Sequence, residues 1–531
     1  MKRITGWILT LALCAGFGLY AATGIAAPRP NIVLIMVDDM GYSDIASYGG
    51  DIETPNLDQL AADGLRFSQF YNSARCCPTR ASLMTGLFPH QTGIGHMTET
   101  PKGLDTHNRG YYGYRGFINK NCVTIAEVLK PAGYHTYMAG KWHLGMHSAD
   151  RWPLQRGFER FYGITAGASS YLDPQHPRGL LCDNMLVQPE GDDYYTTDAF
   201  TDNAITFVEE QEDDKPFFLY LAYTAPHWPL QAKPKDIAKF EGRYMKGWDA
   251  LRAERHQRQL DMGLLSSDWP LSPRDARAWD DLNAKQKKEM AYRMAVYAAQ
   301  IYAVDYNIGK LVDVLKRQGK LDNTLILFLT DNGGCAEGGE LGGGKYSDIN
   351  NPAISSNVSY GRAWANASNT PFRRYKHYVH EGGISTPLIA HWPAVISEKR
   401  GAITHAPGYL IDVMSTVIDI SGAEYPQEVG GKVIHPLEGK SLTPVFETGE
   451  REGHEWMYWE HEDNCAVRNG KWKAVQKFST DKWELYDLDA DRTELNNLAD
   501  AQPERTQRMA DKWHAWARTH FVVPKGELKK K

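Results

Sequence analysis

The sequence predicts an α/β protein with a mostly parallel central sheet flanked by helices, followed by a smaller C-terminal α+β domain with an antiparallel sheet. Three observations carry this prediction. The chain has 531 residues, 42% of them hydrophobic and 23% charged, which suffices for one large core and a second, smaller unit. Apolar runs at 31–37, 217–223 and 325–330 have the near-continuous hydrophobicity of strands buried on both faces of a parallel sheet. Amphipathic helical patterns alternate with these runs, as strand–helix–strand units require.

In chain order, Lys2 and Arg3 precede an apolar stretch at 4–22 and the small-residue segment Gly24-Ile25-Ala26. This is the layout of a signal peptide over 1–26 and implies an exported, periplasmic or secreted protein, with an uncleaved anchor as the alternative. Residues 27–430 form the expected α/β body. Its first strand stops abruptly at Asp38-Asp39, and a helix follows over 54–64. A short helix then opens at Cys76-Cys77-Pro78, with Pro78 suited to the first turn and Gly86 to the exit. Another helix spans 124–130. The run at 217–223 leads into Thr224-Ala225-Pro226-His227, and a charged, tryptophan-rich insertion at 228–290 is expected to cover the site. The long helix over 283–318 precedes the run that ends in Asp331-Asn332-Gly333. After 430 the texture changes to short strands at 455–460, 465–468, 471–476 and 483–488, with a turn at Asn469-Gly470. A final helix over 503–519 completes the C-terminal domain, 431–531.

The formal charge of −6 is mild and spread along the chain, which removes the electrostatic case for nucleic acid or an anionic membrane as partner. Of the seven cysteines, five remain once Cys14 leaves with the signal peptide and Cys76 is set apart, and the wide, irregular spacing of Cys77, Cys122, Cys182, Cys335 and Cys465 makes neither a disulfide framework nor a metal finger.

Polar residues at the carboxyl ends of parallel strands mark where open α/β sheets place ligands. Asp38, Asp39, Asp331 and Asn332 arrive in pairs at two such ends. All are hard oxygen donors, which favours Ca2+ or Mg2+ over zinc. Either pair alone reads as a loop or cap; two pairs at matching strand ends read as a cation site. At the helix start, an anion beside Cys76 meets free N–H groups, the positive dipole end and Arg80.

Cys76-x-Pro78-x-Arg80 followed by Leu83, Thr85 and Gly86 resembles the signature of the type I sulfatases. Gly140-Lys141-Trp142-His143-Leu144-Gly145 matches a second block of that family. Lys376, ahead of Glu381-Gly382-Gly383, falls where the family places another sulfate-binding lysine, although Arg374-Tyr375 replaces the usual Gly-Gly. Segments 225–232, 242–244 and 483–488 look like bacterial arylsulfatases of the Pseudomonas type. The resemblance implies an alkaline-phosphatase-like fold and a formylglycine made from Cys76 by a formylglycine-generating maturase. It also implies one calcium held by Asp38, Asp39, Asp331, Asn332 and the oxidised residue 76.

The chemistry implied is hydrolysis of a sulfate monoester. A geminal diol at residue 76 attacks sulfur with Asp331 as proton acceptor, and the alcohol leaves with His227 and Lys376 as acids. The resulting sulfate hemiacetal then expels sulfate with His143 as base, while Arg80 and Lys141 hold the modified residue. The implied partner is a sulfated small molecule or glycan: aryl sulfates in vitro, sulfated carbohydrates in vivo. Trp228, Trp248 and Tyr244 are candidates to stack on its ring, and His96 to reach it. A phosphonate or phosphodiester hydrolase of the same superfamily and a non-catalytic sulfoglycan-binding relative are the competing readings.

Overall fold

In the computed structural model, residues 29–99, 106–175, 177–353, 357–478 and 480–528 are described. The expected signal peptide lies outside them. No helix among the described residues is long and apolar enough to cross a membrane.

The main sheet contains β1 (Asn31–Val37), β2 (Leu65–Tyr71), β3 (His135–Lys141), β4 (Arg160–Ile164), β5 (Leu180–Cys182), β6 (Met185–Val187), β7 (Phe217–Ala222), β8 (Thr324–Thr330), β9 (Ser385–His391), β10 (Ala402–Thr404) and β11 (Gly408–Tyr409). Its order is β10-β2-β9-β8-β1-β7-β3-β4-β5-β6, with β11 also on β2. The five neighbours β8, β1, β7, β3 and β4 are all parallel. Antiparallel pairings appear around β9 and at the β5–β6 edge. Alternate residues of β1 enter opposite cores: Ile32, Leu34 and Met36 face one, Val33, Ile35 and Val37 the other. That two-sided burial is why the strand reads as a continuous apolar run.

The helices on these faces follow the expected pattern. They include α1 (Pro55–Ala62), α2 (Cys76–Thr85) and the long helix Ala284–Arg317, whose N-cap Asn283 closes a capping box with Gln286. A two-stranded ribbon, β12 (Glu428–Val429) with β13 (Lys432–Val433), precedes the C-terminal sheet. That sheet runs β14 (Met457–His461), β15 (Asn464–Asn469), β16 (Trp472–Gln476) and β17 (Trp483–Asp487), antiparallel throughout, and is followed by the helix Pro503–Thr519.

The C-terminal sheet shares the first core, contributing Trp459, Val467 and Val475, and the helix that follows it adds Trp513. A fully buried charge network adds to that contact. Lys473 lies 2.8 Å from Glu381 and 2.9 Å from Glu494, and Arg492 lies 3.0 Å from Glu381. Burial works to raise the Glu381 pKa, but Lys473 and Arg492 outweigh it and hold the carboxyl at about 2. Replacing Lys473 by methionine leaves two carboxylates facing each other without their shared cation. It is expected to cost ~3–5 kcal/mol in chemical denaturation. A loss under ~1 kcal/mol, the ordinary range for exposed pairs, would show that the network is not holding the sheet.

The insertion at 228–290 departs from expectation. Trp248 and Tyr244 are fully buried in the second core, where Trp248 meets Trp279 and Trp364 edge-on at 4.9 and 5.4 Å. Arg255 anchors the same segment through Asp44 and Asp51, both at 2.7 Å. Trp248 and Tyr244 are therefore packing residues and cannot stack on a substrate. Trp228 is half-buried, and its Nε1 donates to Glu337 at 2.7 Å.

Candidate active site

Four adjacent parallel strands end at one place. Asp38 and Asp39 follow β1, Asp331 and Asn332 follow β8, Lys141 closes β3 with His143 two residues on, and His227 lies in the loop after β7. The close approach of β3 to β7 requires a glycine in the middle of the second motif. A Cβ on Gly140, whose φ is +115°, would lie 1.9 Å from the Ala222 carbonyl oxygen. Helix α2 brings Cys76 to the same point. All its residues are buried, and it ends at Gly86 in the left-handed conformation.

Arg80 is fully buried. Its guanidinium donates to Asp38 at 3.0 Å, to Asp331 at 2.9 Å and to the Lys141 carbonyl at 3.1 Å. Lys141 donates its Nζ to Asp38. Lys376 Nζ lies 2.8 Å from Asp39, and Asn332 Nδ2 donates to Asp39 at 2.7 Å. His227 Nε2 is 3.4 Å from Asp39 Oδ2. Its Nδ1 donates to the Trp228 carbonyl at 2.6 Å, which fixes the tautomer and leaves Nε2 to exchange a proton. Cys76 Sγ, Cys77 Sγ and a His143 ring nitrogen lie within 4.8 Å of one another. All ten residues expected at the site are thus gathered into one buried cluster. His96 is also buried and stacks on His107 at 4.2 Å.

The electrostatics follow from packing three carboxylates against three cations away from water. Burial, together with the neighbouring Asp38 charge, raises the Asp331 carboxyl to about 8. Burial also works to raise Asp38, but Lys141, His227 and Arg80 outweigh it and bring it below the usual range. A hydrogen bond from Cys77, aided by Lys141 and His143, holds the Cys76 thiol well below its ordinary pKa. Burial depresses His227. It also acts to depress His143, but there the Glu99 carboxylate and Cys76 prevail and the pKa rises.

Sequence reasoning missed Glu99, Glu337 and Arg75. Glu99 accepts from His143 Nε2 at 2.9 Å and from the Gly167 amide at 3.0 Å, and its carboxyl is held at about 2 against the effect of burial, chiefly by His143. Arg75 pairs with Glu337 at 2.9 Å beside Trp228. Only Arg75 carried a signal, its position directly before Cys76.

The donor set suits a hard divalent cation. Among the described residues, Asp38 Oδ1 and Asn332 Oδ1 are buried without a hydrogen-bond partner, and both belong to the strand-end pairs. Orphaned buried oxygens of this kind are costly unless something binds them. Three carboxylates and three cations roughly cancel, so a divalent ion would leave the pocket positive and receptive to an anion.

Comparison with known proteins gives a consistent picture. The sulfatase family profile matches residues 30–423, and the profile of the N-sulphoglucosamine sulphohydrolase C-terminal region matches 373–516. An arylsulfatase of Klebsiella aerogenes is 34% identical over 456 residues, covering 82% of this chain and 96% of that protein. An N-acetylglucosamine-6-O-sulfatase of Bacteroides thetaiotaomicron is 27% identical, covering 88% and 82%. Among solved structures, Ps i-CgsB in complex with k-i-k-neocarrahexaose superposes with a TM-score of 0.68 at 26% identity, covering 94% of each chain. The phosphonate monoester hydrolase of Agrobacterium radiobacter, at 18% identity, 93% and 96% coverage and a TM-score of 0.57, shares the fold.

Proposed function

This chain belongs to the sulfatase family and is a sulfuric ester hydrolase, and from that premise we propose that it cleaves sulfate monoesters of carbohydrates after oxidation of Cys76 to formylglycine. The observation that carries the reading is the placement of Cys76 at the start of a buried helix, among Arg80, Lys141 and His143 and beside the buried carboxylates Asp38, Asp39 and Asp331. Relatives named for 6-O-sulfated amino sugars support a sugar sulfate as the physiological class. Aryl sulfates would serve as assay substrates, as the name of the Klebsiella relative suggests.

Asp38, Asp39, Asp331 and Asn332 would hold the cation, Ca2+ by their all-oxygen character, with the oxidised residue 76 completing the set. When bound, the ion polarises the sulfate and the hydroxyl that attacks it. The hydrated side chain at 76 supplies two geminal hydroxyls, one to attack sulfur and one to expel sulfate afterwards by C–O cleavage. Arg80, Lys141 and Lys376 are cations already in place and need not reorganise as charge builds on the transferring group. Asp331 accepts the proton of the attacking hydroxyl. In its imidazolium form, with Nδ1–H held by the Trp228 carbonyl, His227 gives the Nε2 proton to the departing alcohol oxygen, with Lys376 beside it.

His143 donates Nε2–H to Glu99, which leaves Nδ1 as the acceptor for the proton of the second hydroxyl. Glu99 therefore acts as the group that orients this base. Glu99→Gln is expected to lower kcat by ~10^2–10^4-fold through the wrong tautomer, with KM and bound cation little changed. Wild-type kcat in that variant would remove Glu99 from the mechanism.

The maturase is the partner this reading needs, and the leading 1–26 segment supports export to the periplasm or beyond. The test is a panel of sulfated galactose and glucosamine sugars, an aryl sulfate and an aryl phosphodiester, using protein matured in a sulfatase-competent host. Preferred release from a sugar sulfate supports the proposal. Preferred diester hydrolysis would move the chain to the phosphodiester class.

A further inference from the structure

A separate group of side chains lies where the C-terminal sheet meets the loop after Lys376. His461 ends β14, Glu462 and Asp463 make the turn into β15, and His377 directly follows Lys376. One donor atom from each of His377, His461 and Glu462 lies within 4.8 Å of the others. The two imidazole rings meet edge-on with centroids 5.2 Å apart.

His461 is fully buried, and neither of its ring nitrogens has a hydrogen-bond partner among the described residues. A buried polar atom left unpaired in this way is costly, so a bound group is expected to satisfy at least one of them. Both nitrogens are sealed from water, which places them beyond reach of solvent or a substrate hydroxyl. A metal ion bonds nitrogen at about 2.0–2.1 Å and sits between its donors, and the half-buried His377 and Glu462 give it a way in.

We infer that His377, His461 and Glu462 form a second cation site, for Zn2+ or a similar borderline ion, separate from the oxygen-lined site of the pocket. Two imidazoles and one carboxylate are the donor set such ions prefer, whereas Ca2+ prefers oxygen alone. The site joins two parts of the fold. The His377 amide donates to the Ala74 carbonyl at 2.8 Å, two residues before Cys76, and Asn464 Nδ2 donates to the His377 carbonyl at 3.2 Å. An ion held there pins the β14–β15 turn to the loop carrying Lys376 and to the approach to α2.

The test uses tag-free Cys76→Ala protein, because Cys76, Cys77 and His143 offer a competing set of three donors. The protein is freed of metal, saturated with Ca2+, and titrated with Zn2+ and then, as a spectroscopic probe, Co2+. One equivalent of Zn2+ is expected to bind in the presence of excess Ca2+, to raise the Tm, and to displace a visible Co2+ absorption. His377→Gln and Glu462→Gln, both at half-buried positions, are expected to weaken Zn2+ binding by about a hundredfold and abolish the Tm rise while the circular dichroism spectrum stays unchanged. Absence of Zn2+ binding in the parent, or equal binding in the two variants, would overturn the inference.

Discussion

Cys76→Ala protein is expected to fold, to keep its bound cation through the four strand-end ligands, and to lose at least about 10^4-fold in kcat. The size follows from the nucleophile role proposed for residue 76. Cys77 is the nearest candidate to replace it, but burial, which the substitution leaves in place, acts to raise its thiol pKa. The fold should tolerate the change, because Cys76 is a small buried residue whose truncation is worth ~1 kcal/mol. Cys76→Ser offers a sharper comparison. It keeps a hydroxyl but provides only one, so the sulfate ester it forms has no second hydroxyl to expel sulfate. A single stoichiometric burst followed by silence is expected from it. Steady turnover in either variant would place the nucleophile elsewhere.

Asp331→Ala is expected to lose cation and activity together, with kcat falling by at least about 10^3-fold. Asp331 touches both halves of the site: Oδ2 accepts from Arg80 at 2.9 Å, and Oδ1 accepts from the Asp39 amide at 3.2 Å. Its removal takes away one of the proposed oxygen donors and leaves Arg80 with one carboxylate partner in place of two. Because the substitution also opens a buried ion pair, it carries a stability cost of ~3–5 kcal/mol. Asp331→Asn is the control, since it keeps the shape and one acceptor oxygen. Calcium content, measured beside the circular dichroism spectrum, separates the two effects. Full cation occupancy in folded Asp331→Ala protein would exclude it as a ligand.

Much of the catalytic pocket was legible because its residues sit next to the strongest local signals in the chain. Asp38-Asp39 and Asp331-Asn332 end apolar runs that could only be buried strands, and β1 occupies the residues expected of it. Cys76 and Arg80 share a short helix bounded by a proline and a glycine. The long helix and the final helix were equally clear from their periodicity.

What the sequence concealed was long-range pairing. Glu99 has no periodic surroundings, and its partner His143 lies far along the chain. Lys473, Glu381, Glu494 and Arg492 each look like ordinary surface charges, and only the docking of the C-terminal sheet turns them into a buried network. Trp248 and Tyr244 misled for the opposite reason. Their charged neighbours suggested an exposed cover over the site, while their own side chains fill the second core. The charges of that segment serve it internally, as Arg255 does with Asp44 and Asp51.

The most direct test of the central claim is to measure sulfate release against the fraction of residue 76 present as formylglycine, read from peptide mass, across preparations made with varying amounts of maturase. The account predicts a rate proportional to that fraction and passing through zero for protein that is wholly cysteine. A rate independent of the modified fraction would contradict it.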